Sequence, residues 1–82
     1  MNGVASTTKQ YILDEFLPGE NPANLTDSTP LISGGILDSL ATLRLVAFLE
    51  ERYHITFEPH EIATDRINTI ADIAKLVESK RS

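Results

Sequence analysis

The run from Ser39 to Tyr53, SLATLRLVAFLEERY, constrains the fold more than any other stretch of the chain. Leu43, Leu45, Val46, Phe48 and Leu49 spread round most of a helical circumference, which predicts a helix central to its domain. The start of that helix is marked by Asp38, a strong N-cap. Its carboxylate can accept from the backbone N–H of Leu40 or Ala41, and its charge complements the positive end of the helix dipole. Ser39 then falls at the first helical position, behind a Gly34-Gly35 pair suited to a turn with unusual backbone angles. With Asp38 acting as the cap, the serine hydroxyl is free for another use.

The remaining elements are read round this helix. Thr8, Tyr11, Ile12, Glu15 and Phe16 recur at helical spacing, with Leu13 and Leu17 widening the apolar side, so helix I is expected from about Thr7 to Leu17, stopped by Pro18 and Gly19. From Pro18 to Gly35 the chain is rich in turn-forming residues and predicts a long loop, anchored by Leu25, Leu31 and Ile32. Pro59 at a first helical position predicts a short helix III of one or two turns through Ile62. Thr69 with Asp72 resembles a capping box, and Ile70, Ile73, Ala74 and Val77 then predict a last helix from Ile70 to about Ser79. No stretch alternates as a strand does, so the expected fold class is all-α, with a single domain over residues 1–82, its core over about 7–79, and frayed termini.

Composition narrows the function classes. Apolar residues make up 41% and charged residues 23% of the chain, the balance of a globular protein and not of a disordered tail. Twelve acids against seven bases give a net charge of -5 with no clustered basic face, so no nucleic-acid partner is expected. There is no cysteine for a disulfide or a thiolate metal site, and His54 and His60 lack the spacing of a metal-binding motif. No apolar run approaches the roughly 20 residues that span a bilayer, and MNGVASTTKQ lacks signal-peptide features, so no membrane insertion and a cytoplasmic location are expected. The Gly34-Gly35 pair lacks the further glycines and lysine of a phosphate-binding loop.

Ser39 is open to two chemical uses. The letters DSL resemble the serine block of GDSL-type hydrolases, but Leu37 stands where that block has glycine, and those enzymes need a parallel sheet for which this chain has no strands. A phosphate ester fits better. The first turn of a helix offers unpaired N–H groups and a positive dipole end, so a serine there could carry a phosphate without loss of the fold. Further along the same helix, Leu40, Arg44, Ala47 and Glu51 fall within a sector about 60° wide, a mixed stripe with the character of a docking surface.

The stretch GGILDSLATLRLVAFLEERYHI, with its long preceding loop, short third helix and amphipathic last helix, resembles the acyl carrier proteins over about Ile12 to Val77. The resemblance implies a four-helix acyl-carrier-like bundle. It also implies that Ser39 receives a 4'-phosphopantetheine arm from coenzyme A through a phosphopantetheinyl transferase with magnesium, and that the arm's thiol holds an acyl or aminoacyl group as a thioester. Asp38 would cap the helix and orient the serine, and the domain, a monomer, would catalyse nothing itself but present its cargo to downstream acyl-transfer enzymes.

Carriers of bacterial fatty-acid synthesis typically have acidic residues two and five positions after the serine, where this chain has Ala41 and Arg44. Ile36, Leu37, Ala41 and Thr42 are instead similar to the pattern of stand-alone D-alanyl and related aminoacyl or specialised-metabolite carriers. Peptide carriers fused in large synthetases generally have a Gly-His-Ser block, which is missing here. The favoured expectation is an amino acid or small carboxylic acid loaded by an ATP-dependent ligase. A carrier for fatty-acid or polyketide synthesis is the alternative, and a small helical protein-interaction domain with Ser39 in a capping role is the non-carrier alternative.

Overall fold

The computed structural model describes residues 3–62 and 64–81, and among these there is no strand. Three longer helices carry the fold: α1 over Gly3–Phe16, α2 over Ser39–Tyr53 and α4 over Ile70–Arg81, with α3 a four-residue turn over Thr64–Ile67. The chief contact is that of α1 on α4, and α2 packs against both.

Helix α1 begins four residues before the expected Thr7. Val4, Thr8 and Ile12, spaced by four, form one fully buried line, and Leu13 widens it. Helix α2 runs over the expected span, but it is not apolar all round. Thr42, Leu45, Val46 and Leu49 form an ordinary i, i+3, i+4, i+7 buried stripe, Phe48 is half-buried, and Leu43 points outward at 56% exposure. The helix ends at His54, whose left-handed backbone (φ 56°, ψ 49°) turns the chain so that the next N–H, that of Ile55, also reaches the Glu50 carbonyl, at 3.2 Å. Few residues other than glycine adopt that conformation.

The helix III expected from Pro59 through Ile62 is a 3-10 turn, followed by α3 as a separate single turn, so among the described residues two short pieces stand between α2 and α4 where one helix was expected. Ala63, between those pieces, lies outside the described residues. Proline starts the turn because it needs no N–H there, and Glu61 reinforces it by accepting from the Glu58 N–H at 2.7 Å. Helix α4 extends two residues past Ser79. Its first turn is capped by the Thr69 hydroxyl oxygen, which accepts from the Asp72 N–H at 3.0 Å, and by the Asp27 carbonyl, which accepts from the Ala71 N–H at 3.0 Å.

The long loop is pinned by Leu25, Leu31 and Leu37, at 1%, 0% and 2% exposure, with Ile32 half-buried. It holds a 3-10 turn over Pro22–Asn24 capped by the Asn21 side chain. The segment after α2 is held in turn by Phe57, buried, whose N–H donates to the Glu50 carboxylate at 2.8 Å.

The Pro59–Ile62 turn is tied to the end of α4 by an ion pair, Lys80 Nζ to Glu61 Oε1 at 2.6 Å, with both side chains largely shielded. The hydrogen bond from Lys80, with the Glu58 N–H second, holds the Glu61 carboxyl below its ordinary value of 4.5. A carboxyl depressed by folding contributes stability that is fully present above its unfolded value and is lost as pH falls through the folded one. Glu61→Gln should therefore flatten the fall in urea midpoint as pH drops below 4.5; an equally steep fall in the variant would show that the pair contributes nothing to acid sensitivity.

Candidate functional site

Ser39 lies where three pieces of chain meet. The first turn of α2, the loop residues Ile32 and Leu37, and Ile62 of the short turn enclose an open cleft of about 490 Å³, with Thr42 and Leu43 completing it. Apart from Asp38, Ser39 and the buried Thr42, its lining is apolar.

The local geometry separates the roles of Asp38 and Ser39. Asp38 is extended (φ -87°, ψ -174°), and its carboxylate accepts from the Ala41 N–H at 2.8 Å. Its carbonyl accepts twice, from the Thr42 N–H at 2.9 Å and the Thr42 hydroxyl at 2.7 Å. The cap is thus complete without Ser39. Ser39 is exposed, and its hydroxyl has no hydrogen-bond partner among the described residues. A primary hydroxyl in that position can be esterified without breaking any bond of the fold.

The four stripe residues Leu40, Arg44, Ala47 and Glu51 are all exposed, but they do not share one surroundings. Leu40, 68% exposed, stands next to Ser39. Arg44, Ala47 and Glu51 border a separate depression against Tyr11 and Phe48, whose rings stack at 4.1 Å. Arg44 is partly neutralised there: its guanidinium pairs with Glu15 at 3.5 Å and lies 5.7 Å from the centre of the Phe16 ring. Leu43, one turn on from Ser39 and on the same side of α2, is a member of the exposed surface that the stripe omits. The i, i+4 relation to Ser39 is the available signal for it.

The loop wall of the cleft is fixed by a residue that no local pattern marks. The Asn68 side-chain oxygen accepts from the N–H groups of Ile32 at 2.8 Å and Ser33 at 3.0 Å, and its amide nitrogen donates to the Ser33 hydroxyl at 2.9 Å.

Among the described residues no helix is long and apolar enough to cross a membrane. No curated protein sequence matches the chain. Solved structures do. A chain from a structure described as "Crystal structure of FAD-dependent dehydrogenase" is 31% identical with a TM-score of 0.76, over 85% of this chain and 97% of that one. The apo form of KstB-PCP, a peptidyl carrier protein, is 29% identical with a TM-score of 0.69, over 92% of this chain and 82% of that one. Residues 17–77 match the PP-binding family, phosphopantetheine attachment site, whose members are non-catalytic carriers that hold 4'-phosphopantetheine covalently and interact with phosphopantetheinyl transferases and biosynthetic enzymes. Helical in its regular elements among the described residues, with an exposed serine at the head of its middle long helix, and matched over most of its length by that family, the chain belongs to the phosphopantetheine-binding carrier proteins.

Proposed function

We propose that Ser39 is the residue that carries the arm, that residues 1–82 act as one carrier domain, and that the short Pro59–Ile62 turn serves as the third of its four helices. The observation that supports this most is the division of labour at the head of α2, where Asp38 makes the cap and leaves the Ser39 hydroxyl exposed and without a partner among the described residues. The surroundings fit the group. A phosphodiester on Ser39 Oγ would sit at the positive end of the α2 dipole, beside a cleft with apolar walls.

In the loading reaction Ser39 Oγ attacks the coenzyme A phosphorus that bears the pantetheine. One O–P bond forms as the bond to adenosine 3',5'-bisphosphate breaks, and the hydroxyl proton leaves to a base on the transferase. When attached, the arm supplies a terminal thiol for a thioester. Asp38 holds the first turn of α2 in place so that Ser39 Oγ faces outward.

The proposed cargo is an amino acid or small carboxylic acid loaded by an ATP-dependent ligase. The likeness to KstB-PCP favours an aminoacyl group, and the neutral Ala41 and basic Arg44 disfavour the basic patches that acidic fatty-acid carriers would meet. The docking surface is Leu40, Arg44, Ala47 and Glu51, to which the exposure of Leu43 adds a second apolar contact beside Ser39. A partner suited to it presents an apolar hollow for the two leucines. Because the chain likened to a FAD-dependent dehydrogenase structure is itself of carrier size, a flavin-dependent oxidoreductase acting on carrier-bound cargo joins the candidate downstream partners.

The test is intact-protein mass after incubation with coenzyme A, magnesium and a promiscuous phosphopantetheinyl transferase, followed by peptide mapping. One phosphopantetheinyl group should be gained, on the peptide holding residue 39. No gain, or an adduct elsewhere, would overturn the assignment.

A further inference from the structure

Asn68 joins the α3–α4 junction to the loop that walls the Ser39 cleft. Besides its three side-chain bonds to Ile32 and Ser33, its backbone carbonyl accepts from the Leu31 N–H at 2.6 Å. Three consecutive loop residues are therefore bonded to one asparagine. The same loop closes on itself towards α2: the Leu31 carbonyl accepts from the Leu37 N–H at 2.9 Å, and the Ile32 carbonyl from the Gly35 N–H at 3.1 Å. The next residues are Asp38 and Ser39.

The side-chain bonds and the apolar anchors hold different parts of this loop. Leu31 and Leu37 are buried and fasten its two ends to the core whatever residue 68 is. Between them, Ile32 is only half-buried, Ser33 is exposed, and Ile32 lines the cleft. Two adjacent N–H donors converge on one point, which requires an acceptor oxygen there.

We infer that Asn68 is a positioning residue for the loading of Ser39: by accepting from Ile32 and Ser33 it fixes the loop wall of the cleft against which the transferase takes up the serine. The inference rests on the assignment of Ser39 as the attachment residue. It reaches the reaction through the loop, since Asn68 does not line the cleft itself.

Asn68→Leu removes the acceptor at similar size. Asn68→Asp keeps it, because a carboxylate oxygen still accepts from both N–H groups and the Ser33 hydroxyl can turn to donate; the added charge lies just before α4, at the favourable end of its dipole. Each variant is loaded by the transferase at a temperature where circular dichroism shows it folded, with Val77→Ala, a truncation of a fully buried α4 residue, as a destabilised control. Asn68→Leu should lower kcat/KM for loading by roughly tenfold, in the range that misplacing a reacting group costs, with Asn68→Asp within about threefold of wild type and the control little changed. Amide exchange at Ile32 and Ser33 should quicken in Asn68→Leu and not in Asn68→Asp. Should Asn68→Leu not fold, Asn68→Ser, which draws the acceptor out of reach, is measured in its place. Loading by the acceptor-free variant within about twofold of wild type, or slowed no more than in the destabilised control, would overturn the inference. Failure of the attachment assignment looks different: wild type itself then gains no group at Ser39, while the exchange measurement still reports the loop bonds.

Discussion

Ser39→Ala should abolish phosphopantetheinylation and leave the fold standing. The serine makes no side-chain bond among the described residues, and alanine is the best helix former, so at the first position of α2 the exchange should change stability by less than about 1 kcal/mol. Asp38→Ala should do the reverse. It strips the Ala41 N–H of its acceptor and should cost about 1 kcal/mol, the usual loss of an N-cap, which in a domain of this size lowers Tm by roughly 4–8 °C. Its serine keeps the hydroxyl, so loading should be slowed and not lost. Intact mass and a thermal melt on the same samples separate the two roles. A mass gain on Ser39→Ala would place the arm on another residue, and a melt lowered as far as that of Asp38→Ala would return the serine to the cap.

The head of α2 is legible in the sequence because a cap is local. Asp38 and the Ala41 N–H are three residues apart, and Thr69 and the Asp72 N–H likewise. The start of α1 is not, since Val4 sits in a polar, glycine-containing stretch and only the packing of α1 on α4 reveals it as the first residue of the buried line. Leu43 escapes for a related reason: hydropathy gives the number of apolar residues on α2 but not which face meets the core. Pro59 signals where a turn starts but carries no information on its length, so a 3-10 turn and a short helix read alike.

The site divides along the same line of sequence separation. Asp38 and Ser39 carry their geometry with them. Arg44 does not, because the Glu15 that partly neutralises it is 29 residues away on α1, and the stripe drawn from α2 alone treats that charge as free. Asn68 is 36 residues from the Ile32 N–H that it receives, in a pairing set by the way the loop crosses the α3–α4 junction. Nothing in the order of the residues records that crossing.

Gly34→Ala should be the most disruptive small substitution in the loop, and it tests how tightly the wall before Ser39 is held. A Cβ at Gly34 would collide with the Pro30 carbonyl oxygen and stand 3.3 Å from the carbonyl carbon, so the obstacle is backbone and not the end of a flexible side chain. Pro30 has little room to retreat, since the next residue, Leu31, is buried and bonded to the Asn68 carbonyl. Nor can the turn move outward without straining the Gly35 N–H to Ile32 carbonyl bond. An overpacked site of this kind should cost about 2–3 kcal/mol, or roughly 10 °C or more in Tm. Gly35→Ala is the informative comparison. There a Cβ meets open space, but φ is +84°, so the cost is backbone strain alone, roughly 1–2 kcal/mol. Because the two glycines are adjacent, the ranking separates steric collision from conformational strain at nearly one place, measured by urea unfolding of both variants. A Gly34→Ala protein as stable as Gly35→Ala would mean that the loop yields easily. A yielding loop would leave little for the Asn68 bonds to position, so the same ranking bears on whether the wall of the cleft is rigid when the transferase meets Ser39.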